Sequence, residues 1–185
     1  MKQPSSHLFD GDGQRKYCDW SEYVRLRAVA QHLPLHKSLF VQLVAVSGCR
    51  ISEALEVSLS RVGTGYVVLR TLKRRTTVYR LVHLPAPLAA QLRALARGGM
   101  PDQRLWSVNR STAYRWVKRA MRLADVHGRQ ACPRGLRHGF GARNVIAGTQ
   151  LNFIQKWMGH ASPRSTVIYM DVSGPEERQL ASRTW

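Results

Sequence analysis

The sequence predicts an α+β fold, mostly helical with one small antiparallel sheet. Apolar residues recur at helical spacing along most of the chain, the stretch from Tyr66 to Leu84 is rich in β-branched and aromatic residues, and Gly or Pro separates the segments. With 185 residues, 44% of them hydrophobic, the chain suffices for one domain with a sizeable core and is too apolar for wholesale disorder.

Residues 1–19 are polar and contain Gly11, Asp12 and Gly13, so a flexible lead-in is expected, with order starting near Trp20. Tyr23 to Leu33 has helical spacing, and Pro34 breaks it. A second helix, from about His36 to Val46, turns Leu39, Phe40, Leu43 and Val44 inward, and Gly48 marks the turn after it. A short third helix begins near Arg50, with Ile51 and Leu55 facing the core and Glu53 one turn from Arg50. YVVLR and TTVYRLVHL flank Lys73, Arg74 and Arg75, which reads as a basic-tipped β-hairpin closed by Pro85 and Pro87. Leu88 to Ala96 is helical and is followed by a loop at Gly98, Gly99 and Pro101.

Ser111 to Ala124 reads as a strong helix. Ala113, Trp116, Val117, Ala120, Met121 and Ala124 form one stripe, while Arg115, Lys118, Arg119 and Arg122 form the other. Further helices are expected from Pro133 to Ala147, from Leu151 to Trp157 with Thr149 as N-cap, and after Ser162-Pro163, the last carrying Tyr169. The resulting organisation is a lead-in over 1–19, one domain over 20–174 and a tail over 175–185.

Several function classes are excluded at this level. The longest apolar stretch, Leu39 to Val46, is interrupted by Gln42 and falls far short of the roughly 20 residues that span a bilayer. The N-terminus lacks the apolar core of a secretory signal, so a cytoplasmic protein is expected. Cys18, Cys49 and Cys132 form no CxxC pair and read as free thiols. His32 and His36 have metal-site spacing, but Pro34 lies between them and no third ligand is near, so surface histidines are expected. No carboxylate cluster suits a metal-dependent nuclease, and no GxxxxGK[ST] suits an NTPase, so neither metal nor cofactor is called for.

Charge points to the partner. The chain has 29 Lys and Arg against 11 Asp and Glu, a formal charge of +18, and a polyanion would relieve that repulsion. Val57 to Pro101 holds bases and no acid, as does Val126 to Met170. These regions are expected to converge on a nucleic-acid surface that includes Arg74 and Arg75 of the hairpin and the Arg115, Lys118, Arg119 and Arg122 face, whose like charges repel one another without a partner.

The polar residues suited to chemistry are Arg50 after SGC, Lys73 in TLKRR, Arg134 and Arg137 in CPRGLRHGF, His160 in WMGHAS and Tyr169 in STVIYMDV. On these motifs, in this order, Val46 to Val172 resembles the catalytic domain of the tyrosine recombinase/integrase family. SGCRISEAL looks like its first arginine box, and PRGLRHGF through IYMDV looks like its second box and nucleophile. His160 precedes Tyr169 by nine positions, as in the family.

The resemblance implies the family fold and a site-specific DNA recombinase acting on double-stranded DNA. Tyr169 would attack a phosphodiester and hold its 3′ phosphate covalently, so that neither ATP nor metal is needed. Arg50 and Arg137 would grip the non-bridging oxygens, His160 would add a donor, and Lys73 would protonate the departing 5′ oxygen. Glu53 would orient Arg50 from behind. The working form would be a DNA-assembled homotetramer at the bacterial nucleoid, aided by accessory DNA-bending proteins, with Leu180 to Trp185 docking on a neighbour.

Two features depart from the family. Its second box commonly begins with histidine, where this chain has Arg134, a group that cannot accept the tyrosine proton at neutral pH. His138, adjacent to Arg137 on a helix, is expected to pack or buttress and to point away from the nucleophile, so that the proton leaves through a phosphate oxygen or water. The usual N-terminal helical DNA-binding domain is not expected within this length, and on that expectation the chain resembles the small fimbrial phase-switch invertases. Two other readings are a catalytically impaired DNA-binding accessory that keeps the fold and a type IB topoisomerase.

Overall fold

The computed structural model describes residues 7–72, 77–95 and 99–171, together with 177–178 and 181–182. Helix α1 (Trp20–Gln31) opens on a reciprocal cap, in which Asp19 accepts from the Glu22 backbone and the Glu22 carboxylate accepts from the Asp19 backbone. Helix α2 (Leu35–Ser47) starts after Pro34 and stops at Gly48, whose φ of 61° is left-handed. It is the central helix, burying Leu39, Phe40, Val41, Leu43 and Val44 and packing against α1 and, further along the chain, α4 (Ala86–Leu95), α5 (Arg110–Leu123) and α6 (Pro133–Ile146).

Helix α3 (Ile51–Leu55) follows α2 directly. The sheet is antiparallel in the order β1 (Val62–Gly63), β2 (Tyr66–Thr71), β3 (Val78–His83), with Leu69 opposite Arg80 and Val67 opposite Val82. Strand alternation buries Val67, Leu69 and Thr71 of β2 and Arg80 and Val82 of β3. A buried arginine among valines is the unusual member of that set.

Helix α5 buries Ala113, Val117, Ala120 and Met121, the predicted stripe, and Asn109 caps it by accepting from the Thr112 backbone. Helix α7 (Leu151–Met158) ends at Gly159 in the left-handed region. The expected Thr149 cap is not formed, because the Thr149 hydroxyl bonds Asn144 Oδ1 at 3.3 Å and Gln150 takes the cap position. After α8 (Arg164–Val167), whose first turn rests on the Ser162 hydroxyl, a 3-10 turn over Ile168–Asp171 carries Tyr169.

The core has two parts. The larger lies around α2, α5 and the sheet. The smaller comprises Leu8, Tyr17, Phe140, Ala142, Ile154, Met158 and Tyr169. Its first two members correct the expectation that order begins near Trp20. Leu8 and Tyr17 are buried, Phe9 bridges to Arg15, and Asp10 Oδ1 accepts from the Asp12 and Gln14 backbones to close the turn. The polar tip of this segment hid two large apolar anchors.

Candidate active site

The left-handed turn at Gly48 delivers Cys49 and Arg50 to the start of α3; a β-carbon at Gly48 would meet the Phe140 ring at 2.5 Å. Glu53 then holds Arg50 twice, accepting from its backbone N–H and from Nη1, each at 2.9 Å. The same carboxylate, 0% exposed, takes Arg80 Nη2 at 2.6 Å. Burial pushes the Glu53 carboxyl pKa up, but the charge and hydrogen bond of Arg80, with the contacts of Arg50, outweigh burial and hold it below its ordinary value. Arg80 spends its other donors on Thr71 Oγ1 at 2.9 Å and the Trp157 carbonyl at 2.7 Å. It therefore ties β2, α3 and the end of α7 together behind Arg50.

Helix α6 supplies the next three groups. Arg137 is buried and donates from Nη1 to the Gly48 carbonyl at 2.8 Å and from Nη2 to the Met158 carbonyl at 2.7 Å. Burial, then the charge of Arg50, lowers its pKa to about 10, which still leaves it protonated at neutral pH. Arg134 and His138 are one turn apart on one face, with Arg134 Nε 3.2 Å from His138 Nε2. His138 does not point away from the nucleophile as expected, since its Nδ1 lies 3.2 Å from the Tyr169 hydroxyl. Adjacency to Arg137 misled that expectation, because a helix step of one residue rotates the side chain only part of a turn and both can border one cleft.

Gly159 turns the chain so that His160 faces back, its Nδ1 2.9 Å from Thr166 Oγ1. Burial, then Arg137 and Arg50, lowers the His160 pKa to about 3, so the ring is neutral. The Tyr169 ring lies parallel to it, with centroids 6.2 Å apart and planes 10° apart. Tyr169 is 1% exposed and rests on Gly141, where a β-carbon would come within 2.5 Å of its ring. Burial pushes its hydroxyl up to about 12, while Arg137 and Arg50 pull the other way.

Arg50, Arg134, Arg137, His138, His160 and Tyr169 line one open cleft of about 830 Å³. Sequence reasoning missed Arg110, Arg164 and His7, which line it too. Arg164 lay in the second acid-free window, and Arg110 heads the basic helix; neither had a motif to mark it. Arg80 belongs to the first acid-free window, and its two-residue step from inward-facing Val82 is the signal for its burial. Glu53 pairs with Arg50 and Arg80, and Arg134 and Arg137 bring two further guanidinium groups to the cleft, so it suits an anion, and guanidinium forks suit phosphate oxygens.

Lys73, Arg74 and Arg75 lie outside the described residues. Arg115, Lys118, Arg119 and Arg122 line a separate concavity of about 420 Å³ with His127 and Gly128, where Lys118 Nζ donates to the Ala131 carbonyl at 2.8 Å. Among the described residues, no group of three His, Cys, Asp or Glu side chains could share a metal ion, and no helix is long and apolar enough to cross a membrane.

Residues 16–175 match the model of the phage integrase family. Among curated proteins, the chain is 27% identical over 161 residues to a tyrosine recombinase XerD of Ralstonia nicotianae, an alignment covering 80% of this chain and 52% of that protein. It is 28% identical over 182 residues to a resolvase of Escherichia coli K12, covering 78% and 68%. The chain spans about half the length of the XerD relatives it matches. Among solved structures, the fold is that of the XerA recombinase, with a TM-score of 0.78 at 22% identity over 91% of this chain and 64% of that one. It is also that of the catalytic domain of bacteriophage HP1 integrase, with a TM-score of 0.68 at 19% identity over 92% and 95%.

Proposed function

The chain belongs to the phage integrase family, and on that premise we propose that it is a site-specific DNA recombinase that cuts and rejoins strands through a 3′-phosphotyrosyl intermediate on Tyr169. The observation that carries this reading is the meeting of Tyr169, Arg50, Arg134, Arg137 and His160, from four separated stretches of chain, around one anion-seeking cleft. In it the Tyr169 oxygen attacks phosphorus, the guanidinium groups of Arg50 and Arg137 take the charge that builds on the non-bridging oxygens, and Arg134 and His160 border the same phosphate. Arg137 keeps further N–H groups for this purpose beyond the two bonded to carbonyls. Glu53 holds Arg50 in place, and Lys73 protonates the 5′ oxygen. The phosphotyrosyl bond conserves the energy of the bond it replaces, so religation calls for neither ATP nor a metal.

On this reading the partner is double-stranded DNA in the bacterial cytoplasm, contacted by Arg74 and Arg75 and by the α5 face. Four copies assemble on the DNA, each supplying one tyrosine, with accessory bending proteins shaping the complex. The deciding experiment incubates the protein with a library of nicked duplexes randomised across their centre and seeks a denaturation-resistant adduct. Wild type is expected to form it and Tyr169→Phe to lack it while still binding DNA; an adduct that persists in the Phe variant removes Tyr169 from this role.

One observation favours a second reading, a DNA-binding accessory without cleavage activity: Tyr169 is 1% exposed and hydrogen-bonded, as a structural tyrosine would be. Absence of an adduct across the library supports the accessory. Relaxation of supercoils without recombinants would instead indicate a type IB topoisomerase.

A further inference from the structure

Arg134, His138 and Tyr169 form a chain of contacts that determines where one proton sits. Arg134 Nε lies 3.2 Å from His138 Nε2, and a guanidinium has donors only. His138 Nε2 must present its lone pair, so the neutral ring carries its proton on Nδ1. That nitrogen is 3.2 Å from the Tyr169 oxygen, which makes the imidazole the donor and the phenol oxygen the acceptor. Burial, then the charges of Arg134 and Arg137, lowers the His138 pKa to about 4, so at neutral pH the ring holds one proton, not two.

We propose that His138 is a catalytic hydrogen-bond donor to the nucleophilic oxygen of Tyr169, and that Arg134 is the positioning residue that locks it in that tautomer. The proposal deepens the recombinase reading and rests on it. A bond forms between the Tyr169 oxygen and phosphorus as the bond from phosphorus to the 5′ oxygen breaks. The phenol proton passes to a non-bridging phosphate oxygen, Lys73 protonates the departing 5′ oxygen, and the phosphate proton returns to Lys73 through water, so that one proton moves in net from the phenol to the 5′ hydroxyl. His138 keeps its own proton throughout, stabilising charge on the phenol oxygen as it attacks and again as it departs in religation. Arg134 spends only Nε on His138, leaving its Nη groups to face the phosphate.

The tautomer is read directly, without DNA, by long-range proton–nitrogen NMR, with His138 assigned as the signal missing from His138→Asn. Wild type is expected to be protonated on Nδ1, and the Nε2–H form is expected to appear in Arg134→Met; wild-type protonation on Nε2, or on both nitrogens at neutral pH, overturns the proposal. The catalytic part is read by single-turnover adduct formation on the nicked-duplex library. His138→Phe should slow it by about 10²-fold, the scale for one lost oxyanion donor. His138→Asn should recover much of that loss, because its amide nitrogen can stand where Nδ1 stood. A ring-fluorinated tyrosine at 169, whose phenolate forms more easily, should narrow the gap between wild type and His138→Phe, whereas a 5′-thiolate leaving group should not. Equal rates for wild type and His138→Phe, or rescue by the 5′-thiolate, place the residue elsewhere in the reaction. Failure of wild type to form any adduct overturns the recombinase reading and this proposal with it, whereas an adduct accompanied by the wrong tautomer overturns this proposal alone.

Discussion

Arg80 Nη2 donates to Glu53 Oε2 at 2.6 Å, joining a strand and a helix through two side chains that are 4% and 0% exposed. With Nε on the Trp157 carbonyl and Nη1 on Thr71, each of the three Arg80 nitrogens makes a hydrogen bond, and such added bonds are what allow a buried ion pair to be tolerated. Arg80→Met leaves the buried Glu53 carboxylate with Arg50 as its one cation among the described residues and should cost about 3–5 kcal/mol in urea unfolding. Arg80→Met combined with Glu53→Leu should cost less than the sum of the single changes. Additive costs would mean that the pair is not coupled. The double variant also removes both Glu53 contacts to Arg50, so in it adduct formation should fall further than DNA affinity does.

Acid should weaken the fold through the two neutral histidines. His138 and His160 have pKa values of about 4 and about 3, both below the ordinary histidine value, chiefly through burial. As pH drops below about 6.5 the unfolded chain takes up these protons first, so the stability is fully present above that value and is lost progressively as pH falls toward about 4. Each histidine contributes a slope of at most about 1.4 kcal/mol per pH unit in that window. Denaturant unfolding between about pH 7 and pH 5 should show the decline, and replacing both histidines with asparagine should flatten it. A profile that is flat in wild type would mean the rings are not held neutral.

Gly141 gives Tyr169 its seat. A β-carbon there would lie 2.5–2.6 Å from the tyrosine ring, closer than atoms can pack, so Gly141→Ala must displace Tyr169 or the helix. The expected outcome is overpacking that costs about 1–3 kcal/mol, a tyrosine more reactive toward solvent probes, and slower adduct formation with near-normal DNA binding. Wild-type rates in the alanine variant would show that the ring position is not limiting.

Salt should govern DNA affinity. With roughly 6 to 10 phosphate contacts, affinity should drop about a thousandfold or more between about 50 and 200 mM salt. Arg119→Gln with Arg122→Gln should reduce the slope; Lys118 is the poorer probe because its Nζ also holds the Ala131 carbonyl. An unchanged slope would take the α5 face off the DNA.

Much of this architecture is legible in the residues because the signals are local. The apolar stripe of α5, the stop at Gly48 and the β-branched runs of the hairpin each report their own element, and the Glu53 contact to Arg50 follows from helical spacing. Burial of Leu8 and Tyr17 was not legible, because it depends on α6 and α7 far along the chain. The inward register of Arg80 was legible from Val82, but its partner Glu53, 27 positions earlier, was not. His138 was half legible: its four-residue spacing from Arg134 was visible, whereas the approach of Tyr169 is set by a glycine 28 positions before the tyrosine.

Arg137 is both a phosphate ligand in this reading and the residue whose guanidinium closes the carbonyl ends at Gly48 and Met158. Its removal would leave two backbone acceptors unsatisfied and untie α6 from the ends of α2 and α7, so in a cell the variant would be cleared by proteases as well as disabled. A strain carrying Arg137→Ala would therefore mix scarcity of the protein with loss of its chemistry. Tyr169→Phe, which keeps the ring in its seat and removes one hydroxyl, is the allele whose phenotype reports chemistry alone.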